Sequence, residues 1–133
     1  MIVQSNVKYD VVVTIDEDYK RFTSLLKQVI GEKDRGEISG TITRENNKRL
    51  FVIDNSEMDE NLRNNNLGFL FYTTTITKCL DLGCTEFQSS AILNDNSKGV
   101  WNKIHNNYYN CKMVHVGKKG GVYYVVTRKK SCL

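Results

Sequence analysis

Residues 62–68 (LRNNNLG) divide the sequence into two parts with different patterns. A β-branched apolar run ends before this segment, and a long apolar segment starts directly after it. The three consecutive asparagines can adopt the left-handed backbone conformation at lower cost than most residues, so their N–H groups can line one concave surface. A helix that begins at Leu67 would add its own unpaired N–H groups. The segment therefore predicts either a phosphate site with Arg63 at its rim or a solvated asparagine-rich loop.

Length and composition predict one domain over residues 1–133. The chain is 40% apolar and 26% charged, which is ordinary for a globular protein, and no apolar run is long enough to cross a bilayer. Because residues 1–4 lack a charged and apolar leader, we expect a cytoplasmic protein with no membrane partner. The four cysteines form no C-x-x-C pair, and His105 and His115 have no metal-ligand spacing, so we expect buried thiols and no metal site.

Charge is distributed unevenly along the chain. Residues 1–66 carry ten Lys/Arg and twelve Asp/Glu, whereas residues 67–133 carry nine and three. This asymmetry predicts either a solvated surface or a basic face that favours nucleic acid, a phosphorylated cofactor or an acidic partner. The face would include Lys98, Lys103, Lys112, Lys118, Lys119, Arg128, Lys129 and Lys130.

The first part of the chain predicts a strand, a helix and a hairpin. Residues 7–14 are dense in β-branched side chains and predict a buried strand. Apolar residues recur at helical spacing between residues 19 and 30, after an acidic run at 16–18 and before Gly31, and this pattern predicts an amphipathic helix. Residues 36–44 and 48–54 flank a polar turn and predict a hairpin whose second strand is central in the sheet.

The second part predicts crossover helices between strands. For residues 67–82, aromatic and β-branched content favours a strand, whereas the length of the run and the closing Gly83 favour a helix. The remaining patterns predict a strand, a turn, a helix and a final pair of strands, at residues 86–93, 94–96, 97–107, 111–116 and 121–127. Together these elements predict a mixed α/β sheet.

Two motifs resemble the second half of the GNAT superfamily of N-acetyltransferases. The family's phosphate loop is R/Q-x-x-G-x-G/A, and the chain has Arg63-Asn64-Asn65-Asn66-Leu67-Gly68 after a strand and before an apolar run. Asn66 replaces the first family glycine, which is sterically tolerable because asparagine also reaches positive φ. The second motif, at residues 91–96 (AILNDN), is similar to the I-L-x-D-N that ends a family strand. The resemblance covers residues 48–116.

The resemblance implies an α/β fold, a single-domain mixed β-sheet flanked by helices, with a helix at residues 67–82. It also implies acetyl-CoA as cofactor, with its pyrophosphate on the N–H groups of residues 64–68. The pantetheine arm would lie between strands that separate at residues 52–53 and 89–90. The implied cofactor-binding residues are Ile53, Arg63, Asn64, Asn65, Asn66, Leu67, Gly68 and Asn96.

The chain also departs from the family pattern. Its first part predicts one helix where the family has two, so we expect a shortened acceptor-binding region. The family tyrosine that protonates the leaving thiolate has no counterpart at the usual place, where Trp101 and Lys103 stand, and Tyr108 follows later. The candidate bases are Asp54 and Glu57, directly after the central strand, and Glu86 at the start of the next strand; Tyr108 is the candidate acid.

These features predict an acyl-CoA-dependent N-acetyltransferase that acts on an amine of a small molecule or protein. The alternative is a catalytically inactive GNAT-like binding module that acts through its basic face on a nucleic acid or protein partner. Nucleic acid is the less favoured partner. The unprotected edge of the C-terminal hairpin also allows an oligomer, because a second subunit could pair with it.

Overall fold

The computed structural model describes residues 1–59, 62, 66–90, 95–107, 110–116 and 121–127, which form one mixed sheet and two helices. The elements in chain order are β1 Ile2–Gln4, β2 Val7–Asp16, β3 Arg21–Gln28, β4 Lys33–Glu45, β5 Lys48–Met58, α1 Leu67–Asp81, β6 Glu86–Gln88, α2 Asp95–Asn107, β7 Cys111–Val116 and β8 Gly121–Thr127. The sheet order is β1-β2-β3-β4-β5-β6-β8-β7, and only β5 and β6 pair in parallel among these strands. The predicted α/β fold class is confirmed.

The predicted helix at residues 16–30 is wrong, because this segment contains strand β3. As a strand, it places Phe22, Ser24 and Leu26 on one face, and each of the three is 0% exposed. The Ser24 hydroxyl can be buried because it is 2.8 Å from Thr75 Oγ1 of α1. Apolar residues four apart satisfy both a helical and an alternating pattern, and strand pairing on both sides decides between them.

The acidic run at residues 16–18 forms a turn instead of a first helical turn. Asp16 Oδ1 accepts hydrogen bonds from the backbone N–H groups of Asp18 and Tyr19, both at 3.1 Å. Lys20 completes the reversal in the left-handed region, with φ of 53°. Aspartate supports such turns as readily as it caps helices, so the residue type did not separate the two outcomes.

The hairpin of β4 and β5 is confirmed, with both strands longer than predicted. Asn46 and Asn47 have φ of 49° and 66°, as the tight turns that join twisted strands require. Strand β5 lies between β4 and β6, which confirms its predicted central position.

The helix predicted at residues 67–82 is confirmed as α1, and Gly83 follows it with φ of 99°. Strands β7 and β8 have the predicted bounds, and α2 begins two residues before the prediction. Strand β6 ends at Gln88, whereas the prediction extended to residue 93, and residues 91–94 lie outside the described part. Residues 117–120, between β7 and β8, also lie outside it.

An aromatic core joins the sheet to both helices. Phe22 stacks on Phe51 with ring centroids 5.1 Å apart, and Trp101 of α2 stacks on Tyr124 of β8 at 5.6 Å. Tyr72 of α1 meets the edge of Trp101 at 5.8 Å, which links the two helices. Trp101 is 1% exposed and therefore a core residue. Neither helix of the described residues has the length and apolar character needed to span a membrane.

Candidate functional site

Strands β5 and β6 pair over a short distance and then separate. Their parallel ladder ends at the pair Val52–Gln88 within the described residues. Beyond it, β5 continues to Met58 beside β4, while Ser89 turns to β8: its N–H donates to Tyr124 O at 2.9 Å and its Oγ accepts from Tyr124 N–H at 2.8 Å. From Ile53 onward no described strand pairs with β5 on this side, and the backbone of β5 borders a gap among the described residues.

A β-bulge in β5 lies directly after the last β5–β6 pair. Ser39 pairs with Asn55 and Gly40 pairs with Ile53, so Asp54 has no partner residue on β4. Bulges bend a strand and redirect its side chains. A Cβ at Gly40 would contact the Val52 carbonyl oxygen and would lie 2.8 Å from Phe22 Cε1, so the close approach requires glycine.

The N-terminus of α1 lies near the far end of β5, and its first backbone N–H groups have no acceptor among the described residues. Asn66 adopts φ of 61°, as predicted for its place in the loop, and its side chain makes no capping bond. The first intrahelical bond is from Leu70 N–H to Asn66 O, so the N–H groups of Leu67, Gly68 and Phe69 have no intrahelical acceptor. The first turn also contains no acidic residue. Such an end suits an anion.

The other predicted cofactor residues divide into described and undescribed ones. Ile53 is 5% exposed, and its backbone borders the gap. The backbone of Asn96 lies in the first turn of α2. Arg63, Asn64 and Asn65 lie outside the described residues.

The two predicted carboxylates on β5 differ in their contacts. Both oxygens of Asp54 are held by Arg21, with Nη1–Oδ2 and Nη2–Oδ1 distances of 2.9 Å, and this carboxylate raises the pKa of Arg21. Glu57 has no hydrogen bond or ion pair to another described side chain and lies directly opposite Glu37 on β4. Like charges at such cross-strand positions are unfavourable unless a cation lies nearby.

Glu37 and Glu57 border an open cavity of about 460 Å³. Its other lining residues are Leu25, Asp34, Arg35, Gly36, Met58 and Asp59. Arg35 and Asp59 form an ion pair at 2.8 Å, and Lys27 pairs with Asp34 at 3.2 Å, whereas neither glutamate forms a direct ion pair with a described residue. The cavity can accept a positively charged group beside Glu57.

The sheet has different surroundings on its two faces beside the gap. Ser56 Oγ is hydrogen-bonded to Tyr72 OH, so Ser56 points towards α1. Side chains alternate along a strand, so Glu57 points to the opposite face, away from the helix. Strand β5 thus has α1 on one face and, on the other, the carboxylate of Glu57, which has no partner side chain among the described residues.

Three residues outside the predicted catalytic and cofactor-binding residues stand near these features. Tyr72 is 6% exposed; burial raises the pKa of its hydroxyl, and hydrogen bonds with Ser56 and Ser97 oppose that rise. Arg21 was hidden within the predicted helix. Lys103 of α2 donates a hydrogen bond to Asn66 Oδ1, a contact that no sequence pattern signals because the two residues are 37 positions apart. Tyr108, the predicted acid, lies outside the described residues.

Comparison with known proteins identifies the fold. No protein-family model matches the chain, and no curated protein matches it by sequence. A GNAT-family acetyltransferase from Staphylococcus aureus aligns with a TM-score of 0.57 and 14% identity, over 84% of this chain and 70% of its own. An IAA acetyltransferase from Bacillus cereus aligns at 0.59 and 10%, over 91% and 100%.

A Bacillus subtilis acetyltransferase in complex with CoA also aligns, with a TM-score of 0.59 and 9% identity, over 92% of this chain and 99% of its own. At such identities the likeness shows the fold alone. The chain has the fold of the GNAT acetyltransferases, and the predicted GNAT-like architecture is confirmed.

Proposed function

We propose that this protein is an acyl-CoA-dependent N-acetyltransferase that transfers an acetyl group to an amine of a small molecule or protein. The observation that carries the proposal is the separation of β5 and β6 beyond Val52–Gln88, with the open N-terminus of α1 at the far end of β5. The solved acetyltransferase with CoA bound has the same fold, which supports acetyl-CoA as the donor.

The residues at the gap fit such a donor. The free N–H groups of the first turn of α1, with no carboxylate among them, suit a pyrophosphate. Ile53 borders the gap with its backbone, where a pantetheine arm could form strand-like hydrogen bonds. In this proposal Arg63, Asn64, Asn65, Asn66, Leu67 and Gly68 hold the pyrophosphate, and Asn96 faces the arm.

Glu57 is the better of the two proposed bases. Bound acetyl-CoA would supply an activated acyl group as a thioester. Glu57 would take the proton that the attacking amine releases, and its oxygens are free to do so. Asp54 would serve less well while Arg21 holds both of its oxygens, although the same pair could orient the acceptor. Tyr108 is proposed to protonate the leaving thiolate.

Calorimetric titration with acetyl-CoA and with CoA tests the donor site. We expect binding at about micromolar affinity, weakened at least about tenfold by Asn66→Asp, which puts a negative charge where the phosphate would lie, and by Arg63→Ala. The matched control is Asn6→Asp, because Asn6 has a similar φ of 64° in a turn at the other edge of the sheet. Absence of binding at millimolar cofactor would refute the acetyltransferase proposal.

Turnover with a panel of amines tests the base. For Glu57→Gln we expect kcat to fall by about 10²- to 10⁴-fold with the KM for acetyl-CoA unchanged, because the lost step is proton transfer. Glu45→Gln, at the exposed end of the β4–β5 hairpin, is the control. An unchanged kcat in Glu57→Gln would remove this residue from the mechanism.

A binding module without catalysis is the second candidate. The involvement of Asp54 with Arg21 favours it, as do the exposed Lys98, Lys103 and Lys112 on the second part of the chain. If the partner is a nucleic acid, its affinity must fall steeply as salt rises, because phosphate contacts release counterions. Salt-dependent binding of nucleic acid without CoA binding would establish this alternative.

A further inference from the structure

Both described helices lie on the same side of the sheet. The Ser24 hydroxyl of β3 is hydrogen-bonded to Thr75 of α1. Helix α2 packs beside α1, with the ring centroids of Tyr72 and Trp101 5.8 Å apart. Because side chains alternate along a strand, every second residue of β2–β5 points to the opposite side, on which no described helix or strand packs.

We call this second surface the open face. It runs from the Asp16–Arg21 pair of β2 and β3 to the Glu37–Glu57 pair of β4 and β5. Val12 on the open face is 41% exposed, whereas the preceding Val11, on the helix side, is 4% exposed. An antiparallel sheet often has one solvated face, so exposure alone does not indicate a partner. Two cavities, one at each end of the open face, provide the further evidence.

The first cavity has a volume of about 440 Å³ and includes an exposed aromatic ring. Its lining residues are Thr14, Asp16, Tyr19, Arg21 and Thr23. Tyr19 is 79% exposed, and Asp16 forms no ion pair with a described residue. Arg21 is already held by Asp54 at 2.9 Å. An exposed ring beside an unpaired carboxylate suits a cationic side chain.

The second cavity, of about 460 Å³, combines acidic and apolar side chains. Glu37 and Glu57 lie directly opposite each other, and neither forms a direct ion pair with a described residue. Leu25 is the cross-strand neighbour of Glu37 on β3. A lysine side chain would place its methylene groups on Leu25 and its ammonium between the two carboxylates, which relieves their repulsion.

The spacing of the two cavities matches that of side chains in an extended peptide. Arg21 lines the first cavity and Leu25 the second, so the cavities are four residues apart along β3, or about 13 Å. In an extended chain, side chains four residues apart lie on the same side at the same separation. Thr23, Ser39 and Asn55 form a polar row between the cavities, with hydrogen-bonding groups for a peptide backbone. Both cavities are open, whereas small ligands favour pockets that enclose them.

We propose that the open face binds an extended basic peptide, with one Lys or Arg side chain in each cavity. Charge complementarity carries the choice of partner. The arginines and the lysine at the two cavities are each paired with another carboxylate, so they leave Asp16, Glu37 and Glu57 for a ligand. This inference deepens the proposed function, on which it rests, by naming the acceptor as a basic peptide that presents a lysine beside Glu57.

The experiment is a fluorescence anisotropy titration of the full chain, without acetyl-CoA, with labelled and acetylated peptides of Ser and Thr. One peptide carries two lysines four positions apart, a second carries them two positions apart, and a third carries a single lysine. We expect the first peptide to bind about tenfold more tightly than the other two, because it alone fills both cavities at once.

Substitution at either cavity should remove this advantage. Glu37→Gln and Tyr19→Ala should each weaken binding of the first peptide about 5- to 10-fold, whereas Tyr19→Phe should preserve it because the ring remains. Glu45→Gln removes the same charge outside both cavities and is the control. Glu37→Gln should also raise the urea midpoint, because a like-charge contact is lost, so a loss of binding would not reflect unfolding.

The outcomes separate this inference from the function on which it rests. If the unmodified protein binds the first peptide but not CoA, the proposed function fails and the peptide-binding face stands. If it binds CoA but not the first peptide at millimolar concentration, only the open-face inference is refuted. Equal binding of all three peptides, or an equal loss in Glu45→Gln, would show unspecific attraction to an acidic surface and overturn the two-cavity face. Tighter binding of spermidine than of the first peptide, measured by competition, would overturn the choice of a peptide.

Discussion

Residues 1–59 and the described residues from 66 to 127 share one sheet, yet their strands are connected differently. In the first half, each strand from β1 to β5 pairs antiparallel with the next. In the second half, α1 carries the chain across to β6, and α2 carries it on to the outer strand β7. The first half is therefore built from turns and pairing, and the second half from helices packed on strands.

The two halves also differ in charge, and the candidate site lies where they meet. Glu37, Asp54 and Glu57 belong to β4 and β5, whereas Lys103 belongs to α2. An acidic side suits the amine of an acceptor, and a basic side suits the phosphates of a donor. Strand β5 therefore borders both environments, which is what transfer between two oppositely charged substrates would need.

The same substitution in each half should have opposite effects. Gly40→Ala should destabilise the fold by about 4 kcal/mol or more, because the added Cβ would meet the Val52 backbone and the Phe22 ring. Gly99→Ala should stabilise it by up to about 1 kcal/mol, since its Cβ would meet nothing within 4 Å in the middle of α2. Urea denaturation measures both, and an unchanged midpoint for Gly40→Ala would contradict the bulge.

Thiol reactivity tests whether the two halves open together. Burial raises the pKa of Cys79 and Cys84 from 9.0 to about 12 and that of Cys111 to about 11, and all three lie in the second half. In a Cys132→Ser variant at pH 8 we expect these thiols to react about 10²- to 10³-fold more slowly than in denaturing urea. If the free energy of the opening that exposes the thiols equals the free energy of global unfolding, the two halves unfold as one cooperative unit. If the free energy of opening is lower, the second half opens alone.

The raised pKa values of the Cys79 and Cys84 thiols predict a loss of folding stability at high pH. Because the folded-state pKa values are raised, the neutral thiols favour the folded state fully below about pH 9. This contribution should then fall as the pH rises towards about 12 for Cys79 and Cys84. Replacing both by alanine should flatten this part of the stability profile, and an unchanged profile would contradict the burial of the two thiols.

Loss of the buried hydrogen bond between Ser24 of β3 and Thr75 of α1 should have a smaller effect on stability. Ser24→Ala or Thr75→Val alone should cost about 1 to 3 kcal/mol, because each leaves one buried hydroxyl without its partner. The double variant should cost less than the sum of the two, which a double-mutant cycle measures. Additive effects would mean that β3 does not face α1 as described.

Much of the fold was predictable because, in most of the chain, the secondary structure that the local sequence pattern favours is also the one that strand pairing and packing stabilise. Asn46 and Asn47 define a tight turn, and Gly83 ends α1, so the elements around them follow from residue type. At β3 the patterns conflict, because the spacing of Phe22 and Leu26 suits both a helix and a strand. From the sequence, the polar Ser24 is expected at the surface, whereas its hydrogen bond with Thr75 allows it to be buried. A polar residue satisfied by a distant partner leaves no signal in the sequence.

The candidate site was only partly predictable for the same reason. The left-handed conformation of Asn66 and the start of α1 at Leu67 could be predicted from neighbouring residues, whereas Asp54 and Glu57, predicted to follow the central strand, lie within β5. The Arg21–Asp54 pair spans 33 positions and depends on the correct structure of β3, which the sequence analysis assigned to a helix. Lys103 approaches Asn66 only because two helices pack side by side.

The proposed function depends most directly on where the cofactor binds. We would titrate ¹⁵N-labelled protein with CoA and follow every backbone amide by two-dimensional NMR. We expect the largest chemical-shift changes on Leu67, Gly68 and Phe69 at the start of α1 and on Ile53 beside the gap, with β1 and β2 unaffected. Changes confined to the β2–β3 face, or none at saturating CoA, would contradict it.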